Sequence, residues 1–247
     1  NDFSSAIGKG CSGIRIGVLK EGFGQTSEIW GKINLPDSDP IVDNTVKSAI
    51  QSLQKTGAKI SDISVPLHIT GLSIWFGVAV EGTTEFMFKG YGTGTNWSGY
   101  YDIALLEHLA KSYKTRAQDF PITMKNLILT GEYFKRYYNG RYYAKAQNLR
   151  RNLSDAYDAA FEEVDVIVMP TIPHLPGTIP EPDADFDEYM SKSLNMINNT
   201  PQFNLTGHPA ITVPCGEHNG LPIGIQIVGR RFDDYTVLQV ADSLEKI

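Results

Sequence analysis

Cysteine is nearly missing: Cys11 and Cys215 are the only two in 247 residues. Two thiols make no disulfide framework, and such scarcity fits a reducing cytosol, the location expected here. Runs of positive charge are missing as well. The densest basic patches are short, such as the pairs Lys135-Arg136 and Arg150-Arg151, in a chain of net charge -6 and pI near 5.4. That balance excludes nucleic acid and anionic membrane as leading partners. No apolar run reaches the ~20 residues of a membrane-crossing helix. Metal-ligand spacing is absent too: His68, His108, His174, His208 and His218 are scattered, with neither H-E-x-x-H nor C-x-x-C. No metal and no other cofactor is expected. There is no G-x-S-x-G nucleophile turn, and Ser12 in GCSG precedes the first strand instead of following one. The Gly-rich stretch GYGTGTNWSG at 90–99 lacks both the Lys-Ser/Thr end of a P-loop and G-x-G-x-x-G spacing. It reads as a flexible loop, with Trp97, Tyr100 and Tyr101 as pocket walls or as aromatics that pack the loop down.

What is present is ordinary globular material, 41% hydrophobic and 20% charged, and long enough to bury a substantial core. The apolar run 13–19 (GIRIGVL) reads as a buried strand. Asp43 is placed to cap a helix carrying Val46, Ile50 and Leu53, which ends at Gly57. KISDISV at 59–65 alternates and stops at Pro66. This strand-helix-strand unit predicts a parallel pair. Helices are predicted over 74–88, 102–114, 124–138 and 142–161. The last has Ala146, Leu149, Leu153, Tyr157 and Ala160 on one stripe. VDVIVM at 164–169 reads as a strand, and 173–187, rich in Pro and acid, as a surface loop. Segments 210–214 and 223–228 flank Asn219-Gly220, the signature of an antiparallel hairpin. Val237, Leu238, Ala241 and Leu244 lie at helical spacing. The sum is an α/β fold with a mixed β-sheet flanked by helices. The opening on Asn1 and the helix close to the last residue make both ends read either as cuts in something longer or as trimmed termini.

One stretch looks chemical at first. TPQFNLTGHPAITVPCG at 200–216 holds a His, a Cys and a Thr. On one extended strand, however, His208 and Cys215 would be far apart, and their odd offset puts them on opposite faces. A reactive Cys wants a neighbouring base or a helix N-terminus, and a hairpin turn follows instead. Cys215 therefore reads as a small residue packed at a strand end, and His208 as a turn residue. Glu162-Glu163 and Asp233-Asp234 are adjacent residues that point apart, so neither pair makes an acid–base dyad. The first ends the long helix; the second caps the last one.

Four segments carry a resemblance: YYAKAQNLRRNL at 142–153, VDVIVMPTIP at 164–173, NTPQFNLTGHPAITVPCG at 199–216 and GLPIGIQIVGRRFDD at 220–234. In order and spacing they are similar to the C-terminal half of the amidase signature family, above all to broad-spectrum amidases of nitrile metabolism. IRIGVLKEGFG and the DISVP strand extend the likeness loosely through the first half. The resemblance implies hydrolysis of an amide C–N bond by a Ser–cis-Ser–Lys triad with backbone N–H donors at the oxyanion. That Gly/Ser-rich signature is not found here. Ser4-Ser5 lacks the flanking glycines and no family-type lysine precedes it.

The expectation that follows is specific. Residues 1–247 are the C-terminal portion of one amidase domain, without the triad region and inactive alone. The chain supplies scaffold and part of a substrate pocket, with Trp97, Ile197, Asn198 and Thr200 as substrate-binding candidates. Core packing for Ile197, and backbone capping for Asn198 and Thr200, are the competing roles, and Asn204 is expected to organise its loop. The expected partners are a small-molecule amide, the missing N-terminal half and a second copy in a homo-oligomer. A sheet cut in this way leaves an unpaired edge. Two alternatives stand beside it: a non-catalytic remnant or binding module, and the A-type subunit of a tRNA-dependent glutamine amidotransferase. The latter tends to carry an arginine shortly before the glycine matching Gly131; here the nearest cation is Lys125. Without that fork, a charged glutamine is less favoured than an apolar or aromatic amide.

Overall fold

A computed structural model describes residues 2–30, 35–93 and 98–247. In chain order the main elements are β1 (Arg15–Leu19), α1 (Pro40–Lys55), β2 (Lys59–Ile63), α2 (Leu67–Gly82), a π-helical segment (Thr83–Lys89), α3 (Ile103–Thr115), α4 (Ile122–Tyr138), α5 (Arg141–Glu163), β3 (Val166–Pro170), α6 (Phe186–Leu194), α7 (Pro201–Thr206), β4 (Ala210–His218), β5 (Leu221–Gly229) and α8 (Asp234–Glu245). The chain forms two compact units, 1–72 with 150–247, and 73–149.

The first unit is built on a five-stranded mixed sheet of order β2-β1-β3-β5-β4. β1 runs parallel to β2 and to β3, as the strand-helix-strand reading requires, and β3–β5 and β5–β4 are antiparallel. β3 is buried at all five positions, the pattern of a central strand covered on both faces. Val42, Val46, Ile50 and Leu53 of α1 pack with Val237, Val240 and Leu244 of α8 against Val213, Ile225 and Ile227. The hairpin turn has Asn219 at φ 52 and Gly220 at φ 76, the paired left-handed conformation of a type I′ turn.

Local chemistry moves several boundaries. Asp39, not Asp43, caps α1: its carboxylate accepts from the Ile41 N–H at 2.8 Å, and Pro40 takes the first helical position. Asp43 lies one turn on, buried, and accepts from the Gly24 N–H at 2.9 Å. Burial raises its pKa, partly offset by that bond. β4 continues past Pro214 to His218 because Cys215 is the extra residue of a β-bulge, between the pairs Pro214↔Gly224 and Gly216↔Ile223. Cys215 thus sits inside the strand and not at its end. The apparent loop at 173–187 runs into α6 at Phe186, where the Asp185 carboxylate accepts from the Glu188 N–H.

The second unit is helical. Its predicted helix 74–88 is the body of α2 followed by the π-helical segment. α4 crosses that segment closely: a Cβ on Gly131 would lie 2.1 Å from Thr84 Oγ1. Aromatic pairs hold the helices, with Phe88 stacked on Tyr113 at 4.9 Å and edge-on to Phe120 at 5.5 Å. No residue of α3 is buried, and only Gly131 of α4 is.

Candidate functional site

The segment 195–207 is where sequence and structure differ most. Its sequence reads as a loop feeding a strand. Residues 201–206 instead form the short helix α7, with Pro201 at its start and Gly207 at φ 75 closing it through an N–H donated to the Phe203 carbonyl. Pro just inside and Gly just outside is the sequence mark of such a helix. Five of its six residues are buried, so it shows no amphipathic period that would betray it. Asn204 is the exposed residue of that helix.

Just before α7 the chain turns two amides inward. Asn199 is wholly buried and saturated. Its Nδ2 donates to the Gly22 and Pro170 carbonyls at 3.0 and 2.8 Å. Those two bonds fix the amide orientation. Its Oδ1 therefore accepts, from Gln25 Nε2 at 2.6 Å and from His68 Nε2 at 2.9 Å. Its own carbonyl accepts from Gln226 Nε2. The tautomer of His68 follows: Nε2 carries the proton, and Nδ1 accepts from the Tyr157 hydroxyl at 2.6 Å. Burial drives the His68 pKa down to about 4, partly offset by the Asn199 bond. The same burial raises the Tyr157 phenol well above its usual value. His68 and Tyr157 are thus locked neutral.

Asn198 and Gln202 extend the network. Asn198 Nδ2 donates to Gln25 Oε1 at 3.3 Å, and Gln202 Nε2 donates to the carbonyls of His68 and Asn198. Their carbonyl oxygens, Asn198 Oδ1 and Gln202 Oε1, are buried with no hydrogen-bond partner among the described residues. Native interiors rarely leave such acceptors unpaired, so both are poised for a donor.

The four predicted binding residues separate here. Asn198 faces inward on Gln25, while Ile197 and Thr200 remain half-buried on either side of it. Thr200 occupies the N-cap position of α7 without a side-chain cap bond. Trp97 lies outside the described residues. Directly after the Gly-rich segment, Tyr100 and Tyr101 line a cavity of about 440 Å³ in the helical unit. Composition and spacing do not reveal Gln25, His68, Asn199 and Gln202. A polar residue in an apolar context, such as His68 between Leu67 and Ile69, is the available signal.

The tempting Cys-His chemistry does not form. Cys215 Sγ contacts the Ile223 carbonyl at 3.5 Å, and burial pushes its thiol up to about 11. His208 is buried instead against Thr206 Oγ1 at 2.8 Å and Asp158 Oδ1 at 3.2 Å, with Arg231 on the other Asp158 oxygen. Desolvation lowers its pKa, against the pull of Asp158. The Ser4 and Ser5 hydroxyls both donate to Asp2, to its side chain and carbonyl. Among the described residues no cluster of three or more His, Cys, Asp or Glu could hold a metal ion, and no helix is long and apolar enough to cross a membrane. The site as it stands is a buried hydrogen-bonded network of Gln25, His68, Tyr157, Asn198, Asn199 and Gln202, with half-buried Ile197 and Thr200 flanking the two asparagines in sequence.

The family model described as Amidase matches residues 2–238. The chain belongs to the amidase signature family. Within it, the chain is 35% identical over 231 residues to an enantioselective amidase of Rhodococcus rhodochrous, covering 93% of this chain and 43% of that protein. It is 32% identical over 247 residues to the A-type subunit of glutamyl-tRNA(Gln) amidotransferase from Synechococcus sp. (strain WH7803), covering 99% and 47%. The crystal structure of a bacterial aryl acylamidase of the amidase signature family superposes with a TM-score of 0.70 at 20% identity, covering 100% of this chain and 46% of that one. The last likeness establishes the fold. This amidase-family chain spans less than half the length of each of these three proteins.

Proposed function

We propose that this chain supplies the C-terminal portion of an amidase domain that hydrolyses a neutral, apolar or aromatic amide to acid and ammonia. The observation that carries the reading is the family match over 2–238, joined to the buried hydrogen-bonded frame beside which Ile197 and Thr200 lie half-buried. The nucleophilic serine, its middle serine and its lysine belong to an N-terminal segment. There the serine Oγ adds to the amide carbon, the C–N bond breaks, and the departing nitrogen takes the relayed proton. Water then cleaves the acyl ester. Ile197 and Thr200 contact the substrate, and Asn198 braces them from behind. We place the assembled enzyme in the cytosol and expect it to self-associate through exposed sheet edges such as β4.

A second reading, the A-type amidotransferase component, is favoured by the cyanobacterial relative. Against it, Lys125 is engaged by the Gln118 carbonyl at 2.8 Å, so the cation nearest the expected arginine position is not held out for a substrate carboxylate. The test joins this chain to the N-terminal segment of the Rhodococcus amidase and measures ammonia release. We expect none from the 247-residue chain alone, and release from benzamide in preference to glutamine once joined. Turnover by the chain alone overturns the external nucleophile. A preference for glutamine supports the amidotransferase reading, and a folded but inactive joined protein supports a non-catalytic binding module.

A further inference from the structure

Near the end of α2, in the helical unit, the Glu81 carboxylate is buried to 4% exposure. Its Oε1 accepts from the Tyr143 N–H at 3.1 Å, in the first turn of α5, where unpaired N–H groups favour an anion. Capping α5 is therefore the structural use of one oxygen. The other oxygen, Oε2, has no hydrogen-bond or ion-pair partner among the described residues. Glu81 lines a cavity of about 280 Å³ whose residues all belong to the helical unit. Two glycines of its wall keep the space beside the carboxylate free of side chains. A Cβ on Gly140 would stand 3.8 Å from Glu81 Oε2, and one on Gly82 would stand 3.6 Å from the Tyr143 ring.

The charges around this cavity are unequal. Glu85, on its wall, is held by Lys89 at 2.9 Å and by Lys135 at 3.2 Å. Lys135 is the cation among the described lining residues, and its partner is Glu85; Glu81 has none. Phe86 and Tyr143 add two aromatic rings, which attract cations. Glu85 and Phe86 come from the π-helical segment, a rare backbone form often found at functional sites. Drug-sized ligands occupy ~300–1,000 Å³, so this space suits a smaller molecule. An anion would meet two carboxylates here, and a neutral molecule would leave the charge of Glu81 unanswered. An ammonium group answers it with a charge-assisted hydrogen bond while its alkyl part packs on the rings. We propose that this cavity binds a small primary alkylammonium ion, with Glu81 Oε2 as its anchor. The site stands independently of the function proposed above.

The test is an NMR titration of the 247-residue chain at pH 7 and constant ionic strength with n-butylammonium, 1-butanol, butyrate and sodium chloride. Butylammonium should give saturable shifts of the Gly82, Gly140 and Tyr143 amide signals, and Tyr143 should respond most directly because its N–H shares the carboxylate. Butanol and butyrate should bind about tenfold or more weakly, and sodium chloride should give no saturable shift. Glu81→Gln keeps a carbonyl for the Tyr143 N–H but loses the charge, and should weaken butylammonium about tenfold or more. Phe86→Leu, at a half-exposed residue, keeps an apolar wall without the ring and should weaken it roughly two- to fivefold. The proposal fails if nothing saturates, if butanol or butyrate matches butylammonium, or if Glu81→Gln binds as the parent does. Should circular dichroism show Glu81→Gln unfolded, Phe86→Leu and the parent's preference for butylammonium over butanol decide the matter.

Discussion

The two units solve the problem of polar and aromatic residues in opposite ways. In the sheet unit, polar side chains go inside and are tied to one another, as Gln25, His68, Asn198, Asn199 and Gln202 show. In the helical unit, aromatic side chains go outside: Tyr133 and Tyr137 are more than half exposed and pair with one another along the same helix. A buried polar network specifies one arrangement, because each displaced member leaves several groups unpaired. A surface of stacked rings tolerates change, since losing one ring leaves nothing unsatisfied. The sheet unit is therefore the rigid frame of this molecule, and the helical unit the adaptable one.

The comparison breaks first, if at all, at Asn199. Asn199→Leu takes a partner from two carbonyls, from His68 Nε2 and from one hydrogen of Gln25 Nε2, whose other hydrogen keeps the Glu21 carbonyl, and should lower stability on the order of 5 kcal/mol, read from urea unfolding at pH 7. A loss of less than about 1 kcal/mol would mean that the network is no frame. His68 comes next. Its folded pKa lies below its unfolded one, so the unfolded chain takes up a proton first as pH falls. Stability should drop by roughly 3 kcal/mol between pH 6.5 and about 4, and His68→Gln should flatten that segment of the curve. Gly71→Ala sharpens the packing side. Its Cβ would lie 2.4 Å from Gln202 Cγ, and the expected cost is about 1–3 kcal/mol. Smallest are Leu129→Lys and Tyr137→Lys on the exposed face of α4, each expected to shift stability by ~0.5 kcal/mol or less. A large effect there would show that this face is covered in the working protein.

The sheet is legible in the sequence because its signals are local. Short apolar runs bounded by Gly and Pro, the Asn219-Gly220 turn and the α5 stripe each announce themselves within a dozen residues. Two of that stripe's predicted positions, Leu149 and Ala160, are only half-buried, since a long amphipathic stripe overshoots the face that is covered. The frame around Asn199 is not legible. Its members come from positions 25, 68, 157, 199, 202 and 226, and no periodicity links residues that meet only through topology. Ile197, Asn198 and Thr200 stand out through family resemblance, yet only the structure separates the inward amide of Asn198 from the two half-exposed neighbours. The β-bulge at Cys215 escapes because one extra residue in a strand leaves no mark in composition.

Asn199 also sets how this protein can change over generations. A residue whose side chain serves two backbone segments and two other side chains has no single neutral replacement. Any lineage that abandons it must pass through a destabilised intermediate or alter Gln25 and His68 together with it, and a double-mutant cycle across the three should show coupling of about 0.5–3 kcal/mol. Position 199 is thus one where a single replacement is expected to cost stability unless Gln25 and His68 change with it.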